Sequence, residues 1–208
     1  MKKKILAGAL VALFFMPTAV FAAKGDQGVD WAIYQGDQGR FGYAHDKFAI
    51  AQIGGYNGSM DIAKTTMDYF LPRIQTPKNS IVALDFEHGA SPDVNANTAT
   101  ILYGMRRIKQ AGYTPMYYSY KPFTLQYVDY QRIIKEFPNS LWIAAYPSYE
   151  VTPEPLYDYF PSMEGIGIWQ FTSTYIAGGL DGNVDLTGIT DSGYTDTNKP
   201  ETDDILQM

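Results

Sequence analysis

The sequence predicts an α/β fold, a small TIM-like barrel in a single domain. Three observations carry this. Short apolar runs bounded by turn residues alternate with segments of helical spacing, the pattern of βαβ units. In the second half, strands follow one another without good helices between them. No glycine-rich phosphate loop follows the first strand, as a nucleotide-binding doubly wound sheet would need. Roughly 165 residues remain for six to eight strands, against ~250 for a full (β/α)₈ barrel. A barrel lacking its late helices therefore fits better than an open sheet.

The chain opens Met1-Lys2-Lys3-Lys4 and runs without charge from Ile5 to Ala23. A basic start, an apolar run and small residues near Ala22 predict a secretory signal over 1–22, with cleavage after Ala22. The run is long enough to act as a membrane anchor before release. Loss of Lys2, Lys3 and Lys4 takes the net charge from −6 to −9. A first strand is expected from about Val29, with Asp30 near its start, and a second over Phe48–Gly55, ended by the Gly54-Gly55 pair. Apolar residues between Met60 and Ile74 recur at helical spacing, with Asp61 placed as N-cap.

The central stretch is Ile81-Val82-Ala83-Leu84-Asp85-Phe86-Glu87, a buried strand that breaks at Gly89. Asn97 then caps a helix closed by Gly112. Pro115–Tyr120 reads as a fourth strand, and Thr124 opens a helix that runs to Phe137 with Pro138 past its end. Leu141–Tyr146 and Gly165–Thr172 are the fifth and sixth strands, separated by a loop carrying Pro147, Pro153, Pro155 and Pro161. Val184-Asp185-Leu186 closes the pattern as a short strand. Residues 23–190 make up the barrel, and 191–208 are a polar, acidic tail.

The bulk composition excludes several classes. The 208 residues are 46% apolar, which supports a full core. Cys is absent and only His45 and His88 are present, so neither a disulfide framework nor a Cys- or His-rich metal site can form. A net charge of −6 argues against a nucleic-acid partner. Aromatic residues are 15%, with 17 Tyr; a flat apolar face with a polar handle suits sugars.

The chemistry centres on carboxylates. Alternation along a strand points Asp85 and Glu87 the same way, with Cα atoms about 6.6 Å apart. Two acids at the open end of a buried strand are costly unless bonded or used. A glycosidase needs that arrangement, one carboxyl as proton donor and one to stabilise positive charge. The plain alternative is a strand end that caps a helix or pairs with Lys. The other acids beside strands are Asp30, Asp181 and Asp185.

Six ordered motifs then resemble the glycoside hydrolase family 25 lysozymes. They are Gly28-Val29-Asp30 with Gln35-Gly36; Ala83-Leu84-Asp85-Phe86-Glu87; Ala111-Gly112-Tyr113 with Tyr117-Tyr118-Ser119; Leu141-Trp142-Ile143-Ala144; Trp169-Gln170-Phe171; and Gly182-Asn183-Val184-Asp185-Leu186. The resemblance implies a (β/α)₅β₃ barrel and a muramidase acting on bacterial peptidoglycan without cofactor or metal, exported and working at the cell wall. The membrane would be met only through the N-terminal leader. Glu87 matches the catalytic acid, Asp85 its partner, Asp30 the acid of the first strand and Asp185 the fourth acid, with Asp181 as the alternative. Tyr118, Trp142, Tyr146 and Gln170 match positions expected to line the sugar groove. His88 is expected to be structural. The stretch Gln35–Ile50 is shorter than the family's and Phe171 stands where Tyr is usual, which bears on subsites. Two competing readings stand beside this one: a wall-binding barrel without catalysis, and a metal-dependent phosphodiesterase with Asp85 and Glu87 as oxygen ligands. Under the muramidase reading, like-charge repulsion from Asp30, Asp85 and Asp185, with partial burial, would keep the Glu87 proton on.

Overall fold

A computed structural model of the chain describes residues 25, 27–29, 31–32, 44–46, 58–74, 78–87, 89–176 and 181–189. The expected leader, Asp30, the strand expected over 48–55, His88 and the expected tail lie outside them, as does the side chain of His45. The described strands are β1 (Gln27–Val29), β2 (Trp31–Ala32), β3 (Ala44–Asp46), β4 (Ile81–Asp85), β5 (Thr114–Tyr120), β6 (Leu141–Ala144), β7 (Ile166–Thr172) and β8 (Gly182–Asp185). They form one sheet in the order β1-β8-β7-β6-β5-β4-β3-β2. From β2 to β7 every neighbour pair is parallel. β8 is antiparallel to both β7 and β1. The chain is thus α/β with a mostly parallel sheet.

Alternation divides each central strand between two layers. Val82, Leu84, Tyr117, Leu141, Ile143 and Ile166 pack with the helices. Ile81, Ala83, Met116, Tyr118, Trp142, Ala144 and Ile168 form a separate cluster on the opposite face, away from the described helices. Ile166 and Ile168 fall in different layers because the register slips between Leu141 and Trp142, leaving Gly167 as the extra residue of a bulge. A Cβ at Gly167 would lie 2.1 Å from the Asn139 carbonyl, so only glycine fits. The bulge resets the alternation and turns Ile168 away from the helices; Gln170, two residues on, takes the same side.

The described helices are α1 (Met60–Phe70), α2 (Val94–Gln110), α3 (Lys121–Tyr127) and α4 (Tyr130–Glu136). Their caps differ from those expected. Ser59, not Asp61, caps α1; Asp61 sits in the first turn, where its charge meets the helix dipole. Asp93 caps α2, accepting from the Asn95 and Ala96 amides at 2.9 and 3.1 Å. Asn97 lies inside that helix and is fully buried. Its side chain accepts from the Ser91 amide and donates to the carbonyls of Ser91 and Tyr127, tying the loop after β4 to the end of α3. The single helix expected after Thr124 is two. Val128 is extended, with φ −136° and ψ 133°, and drives its side chain into the core. Asp129 then starts α4 by accepting from the Arg132 amide.

As expected, no α-helix joins β6 to β7. The connecting loop makes one 3₁₀ turn, Tyr157–Tyr159, and lays Tyr157 and Phe160 against Trp169, each with ring centroids 5.4 Å away. These rings cover the patch made by Trp169, Phe171 and Val184 that a helix would otherwise bury. None of the described helices is long and apolar enough to cross a membrane.

Candidate active site

Parallel strands end together, so the C-terminal ends of β4 to β7 share one rim. Asp85 is the last residue of β4, 2% exposed, and pairs with Tyr118 of β5. The strand geometry continues past it. The Phe86 amide donates to the Tyr118 carbonyl at 2.9 Å, and Ser119 Oγ donates to the Phe86 carbonyl at 2.6 Å. Phe86 is buried on the helix side, against Tyr117 and Phe123. With Phe86 fixed there, alternation carries Glu87 to the same side as Asp85. Glu87 is half-buried.

Two phenols register these charges. Burial raises the Tyr117 hydroxyl well above the ordinary tyrosine range; bonds with Ser119 and Thr124 oppose the shift, and the Asp85 and Glu87 carboxylates add to it. Half-buried Tyr146 is also raised, first by burial; the nearby Ser173 hydroxyl opposes the shift, and the charges of Asp181, Tyr149 and Glu87 add to it. Glu87 and Asp181 therefore both bear on the Tyr146 phenol.

The fourth acid turns on strand direction. β8 is antiparallel to its neighbour, so its start, not its end, lies with the C-terminal ends of the parallel strands. Gly182 pairs with Thr172, the last residue of β7, and Asp181 immediately precedes it. Asp185 pairs with Ile168, near the start of β7. The structure therefore brings Asp181, and not Asp185, to the rim that holds Asp85 and Glu87. Asp185 has another task. It is 1% exposed, and its Oδ1 accepts from the amides of Thr187, Gly188 and Ile189 at 2.9, 2.8 and 3.2 Å, closing the turn after β8. The sequence signal was Asp185-Leu186-Thr187-Gly188, an Asp followed by turn residues.

The expected groove residues also separate. Tyr118, Trp142 and Gln170 are 2%, 0% and 1% exposed, which leaves no surface for a sugar to stack on. They form an interior polar layer instead. Tyr118 donates from its hydroxyl to Gln170 Oε1 at 2.8 Å, and Gln170 Nε2 donates to Asp181 Oδ2 at 3.1 Å. Trp142 Nε1 donates to Asn183 Oδ1 at 2.8 Å, and Asn183 Nδ2 donates to the Asp181 carbonyl at 3.4 Å. Asn183 was not singled out from the sequence; its place between Gly182 and Val184 in a short strand is the signal it carried. Of the four, Tyr146 alone keeps an exposed portion.

A cavity of about 450 Å³ opens at the opposite end, lined by Thr114, Pro115, Ser140 and Ile189 among others, and none of Asp85, Glu87 or Asp181 reaches it. Among the described residues, no three acidic, His or Cys side chains are grouped as a metal site requires.

Comparison with known proteins gives a consistent picture. Residues 54–180, more than half the chain, match the family model described as glycosyl hydrolases family 25. A D-alanyl-L-alanine endopeptidase of Streptococcus phage B30 is 48% identical over 141 residues, 68% of this chain and 32% of that protein. A lysozyme of Streptococcus phage Cp-7 is 48% identical over 118 residues, 57% of this chain and 34% of that protein. The chain thus spans about a third of the length of these curated relatives. In structure it resembles the modular Cpl-1 endolysin complexed with a peptidoglycan analogue, with a TM-score of 0.64 and 30% identity, covering 80% of this chain and 56% of that one.

Proposed function

The chain belongs to glycosyl hydrolase family 25, and from that premise we propose that it is a lysozyme of the N-acetylmuramidase type, cleaving the β-1,4 bond after N-acetylmuramic acid in bacterial peptidoglycan. The observation that carries this reading is the rim itself. Asp85 ends a buried strand, and strand alternation past Phe86 carries Glu87 to the same side. Asp181 arrives from the start of an antiparallel strand. Catalytic groups drawn from several strand ends at one face are what a barrel hydrolase uses.

The finer fold is part of the proposal. The sheet order begins with β1 and ends with β2, and a single position, Asp30, separates these in sequence. Two interior bonds, Tyr118 to Gln170 and Trp142 to Asn183, each reach over an intervening strand. Second-neighbour strands in a flat sheet stand about 9.6 Å apart, so these bonds favour strong curvature. A closed (β/α)₅β₃ barrel over 23–190 accounts for both, with Asp30 contributing a further acid.

In the proposed reaction Glu87 donates its proton to the glycosidic oxygen as the bond to the anomeric carbon breaks. The 2-acetamido oxygen of the muramic acid attacks that carbon, an intramolecular step with effective molarities up to about 10⁵–10⁸ M. Asp85 orients the acetamido group, and the Asp181 carboxylate offsets the developing positive charge. The Glu87 carboxylate then takes a proton from water, which opens the cyclic intermediate with net retention. No cofactor enters. A wall-binding barrel without catalysis is less favoured, because Asp85, Glu87 and Asp181 are all present. The endopeptidase named above is two-thirds unmatched by this chain, and the absence of Cys rules out a thiol peptidase here. Purified peptidoglycan treated with the protein should gain reducing ends at the same rate with EDTA present. Loss of activity with EDTA would favour the metal-dependent alternative.

We further propose that 1–22 exports the protein to the cell wall and that 191–208 is a solvated tail. N-terminal sequencing of exported protein should begin at Ala23. Protein retained inside the cell with Met1 intact would refute the export role.

A further inference from the structure

Gln170 is almost wholly buried, so it can act on a substrate only through another residue. Two of the partners of its amide are of opposite kind. Tyr118 donates to Oε1, and Nε2 donates to Asp181 Oδ2. An amide can in principle be turned either way, since O and N are alike in size. The carboxylate decides the matter. An ionised Asp181 only accepts, so it must face the NH₂ group, which leaves Oε1 toward Tyr118, and the phenol proton completes the chain. The reversed amide would put an acceptor against the carboxylate and fit only a protonated Asp181. The backbone of the same residue is held separately, through Asn183, which Trp142 in turn fixes.

We infer that Gln170, oriented by Tyr118, is a positioning residue that fixes the Asp181 carboxylate at the rim, and not a sugar-binding residue. This deepens the muramidase reading and rests on it for its kinetic consequences. Gln170→Leu removes both bonds at similar volume. Without the Nε2 bond the carboxylate should shift, and misplacement of a charged group can cost from about tenfold up to 10²-fold in rate. That loss should fall on kcat, with KM within about twofold of wild type.

A double-mutant cycle with Asp181→Asn separates positioning from general support. Gln170→Leu added to Asp181→Asn should cost less than about twofold, because the group it positions is already gone. An equal loss in both backgrounds, or a loss carried by KM, would overturn the inference. Tyr118→Phe gives a second route if Gln170→Leu folds poorly: it deletes one hydroxyl and should lower kcat several-fold with the same dependence on Asp181. Crystal structures of wild type and Gln170→Leu read the positioning without activity. A rotated Asp181 carboxylate supports it, and an unmoved one refutes it. A wild-type protein that cleaves no glycan would count against the proposed function, whereas an unmoved carboxylate counts against this inference alone.

Discussion

Glu87→Gln is expected to lower the rate of peptidoglycan hydrolysis by about 10²-fold or more, with the fold unchanged. The amide matches the carboxyl in shape and still forms hydrogen bonds. It has no acid proton to give the leaving oxygen, and after bond cleavage it cannot accept one from water. Both halves of the reaction therefore fail at one atom. Glu87 lies past the end of β4 and only half-buried, so the change removes little packing. Circular dichroism and thermal unfolding should match wild type. More than a tenth of the wild-type rate remaining would remove Glu87 from the acid's role.

Asp181 and Asp185 should part company in the same assays. Asp181→Asn keeps the shape of the side chain but removes the charge at the rim, and should cost at least about tenfold in kcat, in keeping with charge stabilisation as a large catalytic term. Stability should change little. Asp185→Ala should do the reverse. It strips three amides of their common acceptor in the turn after β8, and a bond to a charged group contributes about 1.5–3 kcal/mol. Urea unfolding should show that loss, while kcat of the folded fraction stays within about twofold. The opposite pattern, an inert Asp181 and an Asp185 essential to kcat, would return the fourth acid to the strand's far end.

The strands β4 to β7 were legible because each carries a short apolar run with a turn at its end, whereas β3, Ala44-His45-Asp46, has no such run and lies before the stretch 48–55 where a strand is expected. Ile81–Leu84 and Leu141–Ala144 need only burial to be recognised, and the pairing of β4 with β5 and of β5 with β6 follows from the helices between them. What the sequence hid was direction. Nothing in Val184-Asp185-Leu186 says that β8 runs against its neighbour, and that fact alone decides which of two acids four residues apart reaches the rim. Burial inside the sheet was hidden for a similar reason. Tyr118, Trp142 and Gln170 are polar-tipped residues in strands, and polarity on a strand can face either a ligand or another strand. The bonds across β6 and β7 show that here it faces other strands. Helix starts were misplaced where two capping residues competed, as with Asp93 and Asn97, since both side chains can cap and only the buried contacts of Asn97 separate them.

The bond that is cut can be read from mass spectrometry of the soluble products released from purified peptidoglycan, after reduction with borohydride. A muramidase should release disaccharide-peptides whose reduced end is N-acetylmuramic acid, with the stem peptides intact. Products ending in reduced N-acetylglucosamine, or new peptide termini on uncut glycan, would contradict it.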